Sequence, residues 1–176
     1  MPIPTALDVL IAMVDEGFER KAWHGPTLRG SLRGVTARQA AWRPAPRRHN
    51  IWELTVHAAY WKYAVRRRLE RISEVRSGPR SAEALRDEER QLAKRGSFSI
   101  AGSNWFDVRG RSWPDDVQLL IEEHRRLREA IVALAPGALD RRVAERNHSA
   151  AYTIRGIAAH DLYHAGQIQL LKRLQH

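Results

Sequence analysis

The 176-residue sequence predicts an all-α protein built as a four-helix bundle. Three observations lead there. Four long segments repeat their apolar residues at the helical period, no segment alternates convincingly with the period of a strand, and helix-starting or helix-stopping residues flank the long segments.

The first helix is read over residues 5–20, where Leu7, Leu10, Ile11, Val14 and Phe18 form one stripe behind Pro4. Residues 21–50 read as an ordered connection. It holds Trp23, His24, Gly25 and Pro26, a short helix from Thr27 to Leu32, and a turn at Pro44–Pro46. Asn50 caps the second helix, with Glu53 at the reciprocal position, and the helix runs from Ile51 to about Val75. Centring its inward arc on His57 brings in Leu54, Trp61, Ala64, Val65 and Arg68. After Gly78 and Pro79, Ser81 to Lys94 reads as a short helix and Gly96 to Ser112 as a looped excursion. Trp113–Pro114–Asp115–Asp116 opens the third long helix, because proline suits a first turn and acids favour the positive helix end. Its stripe runs through Val117, Leu120, Ile121, His124, Leu127, Ile131 and Leu134 to Pro136–Gly137. Ser149 starts the fourth, which reaches Leu174 with Thr153, Ile157, His160, His164, Ile168 and Leu171 on one face. The connections after helices one and three suit antiparallel neighbours, while the longer middle segment either crosses over or covers an opening.

The length fits a single domain over residues 1–176, and 43% hydrophobic with 28% charged residues suits a globular chain. No signal-peptide pattern is present and no run nears the roughly 18 apolar residues of a spanning helix, so a cytoplasmic location without a membrane partner is expected. The absence of cysteine excludes disulfides, thiolate nucleophiles and Cys-based metal sites, leaving His, Asp, Glu and water as ligands. The net charge of +10 favours anionic partners. Its arginines are scattered at Arg47–Arg48, Arg66–Arg68, Arg125–Arg126 and Arg141–Arg142, which fits a solvated surface better than a nucleic-acid interface. No serine–base–acid set, phosphate loop or dinucleotide fingerprint can be read, and the NWFDVRG run at 104–110 stands isolated. Catalytic residues are therefore unassigned.

The chemistry concentrates in histidines. His160 and His164 are spaced i,i+4, about one turn plus 40°, so both rings can approach one point, and His57 can join them from another helix. A buried neutral imidazole must satisfy both nitrogens, and a cation gives several lone pairs one partner. Three ligands leave a coordination position open. The competing reading is three unrelated core hydrogen bonds. His124 faces inward on helix three as a fourth ligand, a supporting residue or an ordinary packed polar group. Asp161 could bind an arginine at the bundle edge, and Glu53 could cap its helix or orient a ring through water.

The segments PAPRRHNIWELTVHAAYWKYAVRRRL and GIAAHDLYHAGQIQLLKRL, with WHGPTL upstream, resemble the DinB-like superfamily, also called the DinB/YfiT-like metalloproteins. The resemblance implies a four-helix bundle with a long crossover between the second and third long helices. It implies His57, His160 and His164 as ligands of a divalent metal, with zinc, nickel and iron all compatible. Some relatives are similar in fold to thiol-dependent transferases and isomerases that use bacterial low-molecular-weight thiols, and the family is often dimeric. The resemblance thus implies an open three-histidine site, a small anionic or thiol substrate, a low-molecular-weight thiol as cosubstrate, a homodimer, and a thiol-dependent S-transferase-like activity. A noncatalytic metal- or small-anion-binding protein and a metal-dependent hydrolase are the alternatives. In this reading, His24 sits in a segment that could line the mouth, and Trp61 could shape the pocket.

Overall fold

A computed structural model describes residues 3–74, 104–135, 137–142 and 148–175. Six helices lie in them: α1 (Ala6–Phe18), the short α2 (Leu28–Ser31) and α3 (Ala37–Ala41), α4 (Ile51–Glu74), α5 (Trp113–Val132) and α6 (Ala150–Arg173). A 3-10 turn spans Ala138–Asp140. The described residues form no strand, only an isolated bridge between Arg142 and Ser149. The protein is all-α and bundled, as the periodicity predicts.

The helix starts follow from local chemistry. Thr5 and Asp8 form a reciprocal capping box at α1, the Asp8 amide donating to Thr5 Oγ1 at 3.2 Å and the Thr5 amide to Asp8 Oδ2 at 2.9 Å. Asn50 and Glu53 do the same for α4, with the Glu53 amide 2.8 Å from Asn50 Oδ1. Ser149 caps α6 by accepting the Tyr152 amide at 3.2 Å. The short α3 was not anticipated, although Thr36 and Gln39 make a full capping box and carry its sequence signature. α5 stops at Val132, before the stripe ends, with Ala133 as its C-cap and the Ala133 amide donating to the Glu129 carbonyl at 3.0 Å. The helix read from Ser81 to Lys94 lies outside the described residues, as does the excursion up to residue 103.

Contacts fix the helix directions. Near the start of α4, Trp52 Nε1 donates to Asp116 Oδ2 at 2.7 Å near the start of α5, and further along Arg66 Nε reaches Glu123 at 3.3 Å. The two helices therefore run parallel. α1 runs antiparallel to α5, since Asp15 meets Arg128 at 2.8 Å and Phe18 stacks on His124 at 3.8 Å. α1 also packs tightly on α6. A Cβ on Gly17 would lie 3.0 Å from the Ala158 carbonyl oxygen, so any side chain there would push the two helices apart by a few tenths of an ångström.

The core has two apolar regions. One joins Phe18, Leu28, Ile51, Trp52, Tyr63, Leu120 and Ile168, and the other Leu10, Val14, Leu69, Leu127, Ile131 and Ile154. Polar side chains of α4 and α6 also meet in the interior, at the places considered next. No helix among the described residues is long and apolar enough to cross a membrane.

Candidate metal centre

His57 lies in the second turn of α4, and His160 and His164 share one face of α6. The three side chains converge. His160 Nε2 is 3.3 Å from His57 Nε2 and 3.0 Å from His164 Nε2, and all three ligand atoms lie within 4.8 Å of one another. Among the described residues this is the one group of three or more His, Cys, Asp or Glu side chains that could hold a metal ion.

The outer nitrogens explain what the inner ones can do. His57 Nδ1 donates to the Asn104 carbonyl at 2.9 Å, and a carbonyl can only accept, so His57 Nε2 is left as a bare lone pair. His164 Nδ1 bonds Gln167 Oε1 at 2.6 Å, which leaves its Nε2 bare as well. His160 has one N–H at most when neutral. Placed on Nε2 it can serve one neighbour fully while its buried Nδ1 goes without a partner; placed on Nδ1 it leaves three lone pairs face to face. A divalent cation would satisfy all three at once, and the pinned outer nitrogens are what metal-ligating histidines need for a fixed tautomer and ring angle.

Burial keeps the imidazoles neutral. Desolvation pushes His57 below its ordinary value; His160 is lowered to about 3, first by desolvation and then by His164 and His57, and His164 to about 4, again chiefly by desolvation. At neutral pH all three present lone pairs.

Aromatic rings enclose the group. Trp105 stacks on His57 at 4.0 Å and 9° between planes, and His49 stacks on the other side of Trp105 at 3.5 Å. Trp61 meets His57 and His160 edge to face, at 6.3 and 6.2 Å. Beside His160 a cleft of about 180 Å³ opens between α4 and α6, walled by Trp61, Val65 and Arg68 on one side and by Tyr152, Thr153 and Gly156 on the other. Trp61, expected to shape a pocket, lines this cleft.

The remaining candidates separate from this group. His124 is buried on α5, its Nδ1 3.3 Å from Lys62 Nζ and its ring against Phe18, with its pKa lowered to about 2 chiefly by burial and then by the Lys62 charge. It belongs to a different polar cluster. The sequence suggests that Asp161 could bind an arginine at the bundle edge; the structure instead buries it fully and pairs it with Lys62, itself fully buried. Only 100° of helix separates Asp161 from His160, enough to turn it inward past the site. Glu53 caps α4 and pairs with Arg43 and His49, so it orients no ring of the trio directly. Trp23 and His24 are exposed and line none of this cleft.

Three supporting residues escaped the sequence reading. Gln167 stands three residues after His164, a spacing that could have disclosed it. Asn104 and Trp105 belong to the NWFDVRG run, whose oddity was visible but whose partner, 47 residues away, was not.

Fold and site together define an all-helical bundle whose buried three-histidine group is compatible with divalent-metal binding. The DinB superfamily profile matches residues 22–168, and the chain belongs to that superfamily. Neither the curated proteins nor the solved structures yielded a match.

Proposed function

We propose that His57, His160 and His164 bind a divalent metal ion, zinc, nickel or iron, and that the protein is a cytoplasmic thiol-dependent S-transferase-like enzyme. One observation carries the metal reading: three neutral imidazoles turn lone pairs toward a common point with too few protons among them to pair. The S-transferase reading rests on the superfamily and on the cleft beside His160, which offers a small substrate access to the group. A bound divalent ion would supply a Lewis acid with an open position, able to lower the pKa of a thiol. The chain's own residues do the rest. Asn104 and Gln167 hold the ring orientations of His57 and His164, Trp105 and Trp61 shield them from water, and the cleft positions an electrophile.

The test has two stages. Purified protein should retain one equivalent of metal by elemental analysis, and His160→Ala should lose it; unchanged metal content in the variant refutes the ligation. Metal-loaded protein incubated with a panel of bacterial thiols and electrophiles should then form adducts that chelation suppresses. Retained metal without adducts would favour a metal-binding protein lacking this activity.

We also propose a homodimer. Along α6, Ala159, Tyr163, Gly166, Leu170 and Leu174 make an exposed uncharged stripe bordered by Arg155 and Arg173, a surface that a second copy could cover. Light scattering should return twice the chain mass, and Tyr163→Glu with Leu170→Glu should halve it.

A further inference from the structure

We propose that Trp105 and His49 clamp the metal site: Trp105 holds the His57 ring at the angle that ligation needs, and His49, pressed on the opposite face of the indole, keeps Trp105 in place. Both are positioning residues. The inference deepens the proposed function and rests on it for the ion alone.

The three rings are layered. Trp105 lies between His49, 3.5 Å away with 8° between planes, and His57, 4.0 Å away with 9° between planes. His57 stands in the second turn of α4 and His49 two residues before that helix begins, so an indole from another part of the chain fills the space between two rings of one segment. The neighbouring Asn104 carbonyl accepts from His57 Nδ1 at 2.9 Å. A hydrogen bond at the ring edge and a stack on the ring face together fix the rotation and the tilt of His57.

The outer ring is anchored although it lies at the surface. The His49 side chain is 44% exposed, yet its Nδ1 is 3.1 Å from Glu53 Oε2, and Glu53 is held in turn by Arg43 and the Asn50 amide. The capping group of α4 thus secures the ring that backs the indole.

The stacking geometry favours a ligated imidazole. Neutral aromatic rings pair best offset or edge to face, with centroids roughly 4.5–7 Å apart, because their quadrupoles repel when the faces meet squarely. Both stacks on Trp105 are closer than that and nearly parallel. Trp61, edge to face with the same His57 ring at 6.3 Å, adopts the arrangement that neutral rings prefer. An ion on the His57 lone pair draws charge out of the ring, and an indole face attracts a ring with cationic character. The contact with Trp105 is therefore stronger with the ion bound than without it, which is the condition for a contact to raise affinity.

Zinc competition against a chromophoric chelator and nitrogen-edited NMR of the imidazoles, both on the full chain, test the clamp. Trp105 packs against the core, so variants of the exposed His49 carry the decision. His49→Ala should weaken zinc binding about threefold to tenfold, the scale of one aromatic pair, and Trp105→Ala by at least as much. His49→Gln keeps a donor for Glu53 without a ring and should match His49→Ala; His49→Phe keeps a ring without the donor and should restore wild-type affinity. In metal-free protein the His57 Nδ1 proton should exchange with water several-fold faster in His49→Ala and His49→Gln than in wild type or His49→Phe. Either measurement unchanged by His49→Ala, or His49→Phe performing no better than His49→Ala, overturns the inference. If wild type takes up no zinc the metal reading fails instead, and proton exchange in the metal-free variants still decides the clamp.

Discussion

Two polar clusters join α4 to α6, and they solve burial in opposite ways. In the first, Lys62, Asp161 and His124 meet in the core with side chains at most a few per cent exposed. The ammonium faces the carboxylate and also reaches His124 Nδ1, so charge and donors come from the protein itself. In the second, close by on the same two helices, His57, His160 and His164 face one another as neutral acceptors with no charge among them. Desolvation moves Lys62 down and Asp161 up, each opposed by the other's charge, whereas the trio has no opposing charge to resist the lowering. A self-balanced cluster fastens two helices. A cluster short of protons calls for an external partner.

The comparison can be broken most sharply by removing a ligand. His160→Ala should reduce bound metal from one equivalent to under about a tenth, because two imidazoles cannot replace three at a structured site. Elemental analysis after gel filtration reads the result. If Lys62→Met had the same effect on metal without unfolding the chain, the division between the clusters would fail.

Lys62→Met should instead cost about 3–5 kcal/mol of folding stability, since it strands Asp161 in the core. Lys62→Met combined with Asp161→Leu should recover most of that loss while metal content stays at one equivalent. Denaturant titration of the two variants, set beside metal analysis, separates a fastening role from a ligating one.

A smaller effect is expected one bond beyond the trio. Gln167→Ala frees the His164 ring and should weaken metal affinity about 10- to 100-fold with little change in folding stability. Competition with a chromophoric chelator measures it.

Acid provides the mildest perturbation. His160 and His164 titrate at about 3 and about 4 in the fold against an ordinary 6.5, so between pH 6.5 and about 4 the unfolded chain binds protons that the native chain does not. Stability of the metal-free protein should therefore be flat with respect to these groups above pH 6.5 and fall as pH drops through that window. His124, lowered to about 2, adds the same sign. Zinc should raise stability above pH 6.5 and be released within the window, as protons compete for the ligating nitrogens. Denaturation midpoints measured with and without zinc from pH 7 to pH 4 should converge; a constant offset would refute titration at the trio.

The long helices were legible because their stripes and caps are local. Thr5, Asn50 and Ser149 stand where helices begin, and the inward arc centred on His57 does hold Trp61 and Arg68, both of which line the cleft. The trio was legible in the chain itself, at His160 and His164 through their i,i+4 spacing and at His57 through its place on the inward arc of another helix, and the resemblance then implied all three together. Partners set by tertiary approach were not. Asp161 meets a lysine rather than an edge arginine because α6 turns that residue into the core, and nothing in its neighbours announces Lys62, 99 residues away. Asn104 and Trp105 likewise reach His57 only by tertiary approach, Asn104 from 47 residues along the chain.

The parallel course of α4 and α5 also bears on assembly in time. Each imidazole must wait for a distant stretch of chain: His57 lacks its carbonyl acceptor until Asn104 docks, and both remaining rings arrive with α6, 103 residues after His57 in the case of His160. A topology dominated by such long closures folds more slowly than a simple up-and-down bundle of equal length. Nascent chains that end before α6 carry a single ring of the trio, so an ion held by all three would be captured only after that helix is made and docked.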